Sequence, residues 1–342
     1  MRRIVEAALV LCVAVSSFTA FAPAGSAASY VPAWARPALR YVVQSHYVAE
    51  GSFRANSPMP RQAFGELITK AFGGGYSKTD GSVTALEMSA VLVRALHYGW
   101  VAQKLDRMSA PGGWRPRLPW RFGYEVVART LGLRHNRDLS ENLEASSYQP
   151  ISQADVIYAV WRAKTSANTW AMPQLESFSL PAVGPVQKQV LEFAFRLVGN
   201  PYVWGGEWIA RSYPGYPYGA QAHGGFDCSG FSWYVLKAPA PGWSPRGRPY
   251  RGWSLTQRVA ADIAGAATPR IPYSSLRAAD LVFFAPHGSS SMAASVYHVG
   301  IYIGRGWMID SSGSKDGPSL DYIGPGSWYR SQFAWGRRVI PS

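Results

Sequence analysis

Phe226-Asp227-Cys228-Ser229-Gly230-Phe231 is the stretch on which the reading of this 342-residue chain turns. It leads into Phe231-Ser232-Trp233-Tyr234-Val235-Leu236, which reads as a helix. A thiol on the first turn of a helix faces backbone N–H groups without intrahelical acceptors and the positive end of the helix dipole. Both favour thiolate over thiol. Asp227 is placed to cap the helix, and Gly230 lets another backbone or a ligand come close. The stretch therefore predicts a cysteine nucleophile, which in turn needs a base and a group to orient that base.

Of six histidines, His46, His97 and His135 fall in a helical region. His223 and His287 lie in loops rich in Gly, Ser and Pro, poor places to fix an imidazole. His298 opens the strand candidate His298-Val299-Gly300-Ile301-Tyr302-Ile303-Gly304. Alternation puts Val299, Ile301 and Ile303 on an apolar face, with His298, Gly300 and Tyr302 on the other. If Gly304-Arg305-Gly306 is a three-residue loop, Ile303 pairs with Trp307, Tyr302 with Met308, Ile301 with Ile309 and Gly300 with Asp310. Asp310 then shares the His298 face, diagonal to it and within about 7 Å at Cβ. A two-residue loop would reverse the parity and bury Asp310 against Ile301, at a high desolvation cost. Cys228, His298 and Asp310 are thus the candidate nucleophile, base and orienting acid.

Further strand candidates are Asp280 to Phe284, Trp307 to Ser311 and Arg337 to Ile340, by β-branched and aromatic content. Helices come first and strands follow, which predicts an α+β fold with helices on one antiparallel sheet. Residues 29–165 read as mostly helical and repetitive. Polar starts at Met59-Pro60-Arg61, Val83-Thr84-Ala85 and Ile151-Ser152-Gln153 each lead into an amphipathic helix, and Trp34 to Val48 is another helix candidate. Residues 166–184 lose periodicity and read as a linker. The expected catalytic domain is 185–342, with a helix over Val186 to Val198.

Residues 1–28 read as a secretory signal peptide: Arg2 and Arg3, an apolar run from Ala7 to Val15, and the small residues Gly25-Ser26-Ala27-Ala28. Leu11 precedes Cys12, so no lipid anchor is expected, and no later stretch reaches the roughly 18 apolar residues of a spanning helix. Export would leave Cys228 as the one thiol of the mature chain. The formal charge of +14 is evenly spread, with 17 basic and 11 acidic residues over 29–180 and 15 and 8 over 181–342. That balance suits a polyanionic wall better than a nucleic-acid groove. Neither Cys nor His shows metal-ligand spacing, so no metal or cofactor is expected.

Two resemblances add to this. Pro201-Tyr202-Val203-Trp204-Gly205-Gly206, Asp227-Cys228-Ser229-Gly230-Phe231, Asp280-Leu281-Val282-Phe283-Phe284 and the His298 strand occur in the order in which they stand in NlpC-type cell-wall cysteine peptidases, which this part of the chain resembles. The resemblance implies a papain-like fold with Cys228 as nucleophile and His298 as base. It implies hydrolysis of peptidoglycan stem peptides, often at the bond from D-glutamate to a diamino acid. It makes Tyr202, Asp227 and Ser229 substrate-binding residues. The third catalytic position, most often His in that family, is Asp310 here, and the segment 207–225 is longer than usual. An amidase or acyltransferase on the same Cys-His pair, or a non-catalytic wall-binding protein, are the alternatives. Residues 29–165 resemble surface-layer-homology repeats, which implies a wall anchor on an anionic secondary polymer and a secreted, wall-associated protein.

Overall fold

Residues 31–137, 144–211, 221, 223–236 and 255–340 are described by the structure, a computed structural model. The expected signal segment, residues 237–254 and most of the 207–225 insertion lie outside them.

The first half is helical: α1 (Arg36–Gln44), α2 (Arg61–Phe72), α3 (Ala85–Ala95), α4 (Gly99–Asp106), α5 (Phe122–Thr130) and α6 (Gln153–Thr165). The expected polar starts act as caps on two of these helices. Thr84 and Glu87 form a capping box on α3, and Ser152 accepts from the Asp155 N–H on α6. The three repeated starts meet in space. Met59 N–H donates to Ile151 O, Ile151 N–H to Val83 O, and Val83 N–H to Met59 O, each at 2.9 Å. The three segments thus close a ring of backbone hydrogen bonds. Between the second and third starts lie α4 and α5, which the repeat pattern did not foresee.

The segment expected as a linker is folded against its neighbours. It contains α7 (Met172–Ser177), and Met172, Leu175, Phe178 and Leu180 are buried. Phe178 meets Trp307 edge-on with ring centroids 5.2 Å apart. Its apolar residues are too few and too irregular for a periodic signal, yet they are buried in the shared core.

The second half runs α8 (Pro185–Phe195), β1 (Glu207–Trp208), β2 (Gly225–Phe226), α9 (Cys228–Leu236), α10 (Ala260–Gly265), β3 (Leu281–Phe284), β4 (His298–Gly304), β5 (Trp307–Ser312), β6 (Gly317–Tyr322), α11 (Trp328–Gln332) and β7 (Phe333–Arg337). The main sheet is antiparallel in the order β6-β5-β4-β3-β7. Its last strand starts and ends earlier than the expected Arg337 to Ile340. Strand β6 was not foreseen, because it opens on Gly317-Pro318. Helix α9 lies against β4 and β5, where Val299, Ile301, Ile303 and Ile309 join the main core. The opposite face carries a smaller cluster of Val282, Phe284, Tyr302, Met308, Ile323 and Phe333.

Ile301 pairs with Ile309 and Tyr302 with Met308, as expected, but Gly304 rather than Ile303 pairs with Trp307. Arg305 and Gly306 both have positive φ, 53° and 78°. They form a two-residue turn of the kind that matches strand twist. The unpaired Ile303 is a bulge, and it restores the parity that a two-residue turn would otherwise reverse.

The two halves share one contiguous core. At their junction Phe122 of α5 packs on Phe195 of α8, with centroids 5.8 Å apart. Beside this contact lies a buried ion network. Arg129 is wholly buried; it pairs with Glu125 at 3.1 Å and donates to Lys315 O at 2.9 Å, to Asn200 O at 3.2 Å and to Asp316 O. Arg134 reaches Asp316 at 3.0 Å and Glu125 at 3.5 Å. The helical half therefore grips the turn between β5 and β6.

Candidate active site

Helix α9 begins at Cys228, which is half-buried and is the one cysteine of the described residues. Asp227 caps it: its Oδ1 accepts from Gly230 N–H at 2.5 Å and from Ser229 Oγ at 3.2 Å. Gly230 is required there, since a Cβ would stand 2.0 Å from Gly206 O and 2.6 Å from an Arg258 nitrogen. The Gly230 N–H is taken by this cap and that of Phe231 by the Asp227 carbonyl, so of the first turn the Cys228 N–H is the one set beside the thiol.

His298 starts β4 opposite Phe284 of β3. Its Nε2 lies 2.7 Å from Asp310 Oδ2, and its ring is within hydrogen-bonding reach of the Cys228 thiol. With Nε2 on the carboxylate, Nδ1 is left for the sulfur. Gly300 makes room for this: a Cβ would meet Met308 Sδ at 2.7 Å and Asp310 Cβ at 3.0 Å. Burial lowers the His298 imidazole, but hydrogen bonds to Asp310 and Cys228 and the charges of both outweigh it, lifting it to about 10. The protonated ring donates both N–H groups, one to each partner. Tyr329 of α11 lies nearly parallel to the ring, centroids 5.6 Å apart and planes 26° apart.

Cys228 and His298 open onto a cavity of about 740 Å³, with Tyr202, Asp227 and Ser229 also on its wall. The rim carries the exposed aromatic residues Trp204, Tyr297 and Trp328. A thiol, an imidazole and a carboxylate in one line beneath an open cleft is the arrangement that acyl transfer through a thioester needs.

Residues 199–337 match the sequence model of the NlpC/P60 family. Over 140 residues the chain is 34% identical to "Probable endopeptidase p60" of Listeria grayi, which covers 41% of this chain and 20% of that protein. Over 136 residues it is 30% identical to "Gamma-D-glutamyl-L-lysine dipeptidyl-peptidase" of Bacillus subtilis, which covers 40% of this chain and 35% of that one. The chain thus spans about a fifth to a third of the length of these relatives. A solved NlpC/P60 family protein from Bacillus cereus is 24% identical, with a TM-score of 0.33 over 46% of this chain and 42% of that one.

Within the matched residues 199–337, Asp227 and Ser229 are not isolated groups on the cleft wall. Arg258 Nη1 donates to Asp227 Oδ1 at 3.0 Å and to Ser229 Oγ at 2.8 Å; its Nη2 reaches Asp227 Oδ2 at 3.1 Å. The same guanidinium meets Glu207 Oε2 at 2.5 Å and the carbonyls of Gly205 and Gly206. Arg258 therefore ties the Tyr202 turn, the α9 cap and the segment before α10 together. Arg258, Glu207 and Tyr329 carry no motif and escaped sequence reading. A buried Arg announces itself only once its acceptors are brought together. The described residues hold no cluster of His, Cys, Asp and Glu suited to a metal and no helix long and apolar enough to cross a membrane.

Proposed function

We propose that the chain is a secreted, wall-associated cysteine endopeptidase that cleaves peptidoglycan stem peptides. The observation that carries this is the alignment of Cys228, His298 and Asp310 beneath the cleft. In the proposed reaction the Cys228 thiolate attacks the amide carbonyl. The Cys228 N–H at the start of α9 stabilises the oxyanion. Protonated His298 gives its proton to the leaving amine, and the neutral ring then activates water against the thioester. Asp310 holds the imidazolium in place throughout. Trp204, Tyr297 and Trp328 offer flat apolar surfaces for the peptide, and Tyr202, Asp227 and Ser229 polar ones. The names of the relatives favour the bond from D-glutamate to a diamino acid.

The test is mass spectrometry of muropeptides after digestion by the mature chain. New termini at the D-glutamyl bond are expected, and Cys228→Ala and Cys228→Ser should release none while keeping the fold. Turnover by Cys228→Ala would sink the peptidase reading; products cut at the sugar–peptide amide would make the enzyme an amidase.

For the helical half we propose a wall anchor, on the strength of its positive charge and its three repeated helix starts. The Cys228→Ala chain should co-sediment with walls, and less so once acidic polymer is stripped. A chain left in the supernatant at moderate salt refutes it. Export rests on residues 1–28, and amino-terminal sequencing of protein from the culture medium checks it.

A further inference from the structure

Asp310 uses one oxygen on His298. The other, Oδ1, is buried and has no hydrogen-bond partner among the described residues. An orphaned carboxylate oxygen is costly. Strand register shows what lies next to it. Asp310 stands opposite Ser319 and Met308 opposite Asp321, so Asp310 and Asp321 are diagonal neighbours on one face. The Asp321 side chain, only 13% exposed, is within hydrogen-bonding reach of Asp310, and Lys315 Nζ clamps its Oδ1 at 2.8 Å. The buried Ser319 hydroxyl opposite Asp310 makes no hydrogen bond among the described residues, so it does not serve Oδ1; between the two carboxylates a single proton supplies the donor.

We propose that Asp321 is a positioning residue of this site: protonated, it donates to Asp310 Oδ1 and holds that carboxylate in line with His298. The inference rests on the reading of Cys228 and His298 as the reacting pair. The titratable and charged groups facing Asp321 are Lys315 from the turn before β6, Asp310 from β5 and Tyr329 from α11. Burial raises the Asp321 carboxyl, the Lys315 charge opposes this and the Asp310 charge adds to it, leaving Asp321 at about 7. The bridging proton is therefore present below neutrality and lost as the pH rises through it. Above neutrality Asp310 has a second negative charge beside it and no donor. Lys315 is itself fixed from behind, because Arg129 of the helical half donates to its carbonyl.

Alkylation of Cys228 by iodoacetamide from pH 5 to 9 tests this on the full mature chain without any wall substrate. The native profile should show an inflection near neutrality besides that of the thiol–imidazole pair. Asp321→Asn presents an amide N–H to Asp310 at every pH; it should keep the rate at pH 6 within about twofold and lose that inflection. Asp321→Leu fills the site without a donor and should slow alkylation at pH 6 about tenfold, in keeping with an unsatisfied buried acceptor. A native profile without the neutral inflection overturns the proposal, as does an Asp321→Asn profile that superimposes on the native one. Loss of wall hydrolysis with the alkylation profile intact would count against the peptidase reading and leave this assignment standing.

Discussion

At position 310 an aspartate stands where NlpC-type peptidases most often carry histidine. A neutral imidazole there could orient His298, but it could not offset its charge. Asp310 does both, and with Cys228 it lifts His298 to about 10. The sign follows: the protonated ring, and with it the ion pair, persists up to that pH and is lost above it. Asp310→Asn removes the carboxylate charge, so the alkaline limb of kcat/KM should move down towards the range of an ordinary histidine. The rate should fall about tenfold to a thousandfold, as for an orienting group rather than a nucleophile. Asp310→His should keep substantial activity with a shifted profile. A pH–rate series on a synthetic stem peptide measures all three. An Asn variant with an unmoved alkaline limb would show that another group charges the ring.

The β4–β5 hairpin is the element that delivers this pair, and it was the most legible part of the chain. Val299, Ile301 and Ile303 had to face the core and Ile309 to join them, so Asp310 had to lie with His298. The turn itself was misread, because a bulge is a backbone event that leaves no mark on hydrophobic alternation. The groups around the pair were illegible for a different reason. Arg258 and Tyr329 come from other segments and meet the pair only through tertiary packing, while Lys315 and Asp321 reach it through β6, a strand without a periodic signal. Gly300 tests the hairpin directly. In Gly300→Ala the methyl would press on Met308 and on Asp310 Cβ. Overpacking of this kind costs about 1–3 kcal/mol. Activity should fall further than the melting temperature suggests, because the displaced atom is part of the carboxylate support. Parallel thermal melts and rate measurements separate the two, and equal, small losses would mean that the hairpin yields without moving Asp310.

Across the whole molecule, the helical half and the half that follows are joined by buried charges as well as by the shared core. Glu125, Arg129, Arg134 and Asp316 are all nearly inaccessible. Breaking one partner out of such a network costs about 3–5 kcal/mol, because it strands a buried charge. Arg134→Met should therefore lower the denaturation midpoint strongly, and Arg134→Met with Asp316→Asn should recover part of the loss. The domain expressed alone from residue 185 should melt well below the full chain, since Asp316 and the carbonyls of Lys315 and Asn200 would lose their donors. A truncated domain as stable as the full chain would refute this junction. Sequence reading placed a linker here because the chain between the halves is irregular. The contacts that matter lie elsewhere, on α5 and on the turn before β6.

The ring formed by Met59, Val83 and Ile151 has no first or last member. Each of its amides is sealed by a carbonyl that belongs to another of the three, so releasing one segment releases the others. In deuterium oxide these three protons should exchange as a set, at one shared rate, despite their separation along the chain. A closed circuit of this kind is also indifferent to the lengths of chain between its members. The long interval before Ile151 could thus take in α4 and α5 without opening the circuit. One of those two helices, α5, is the one that reaches across to steady Lys315.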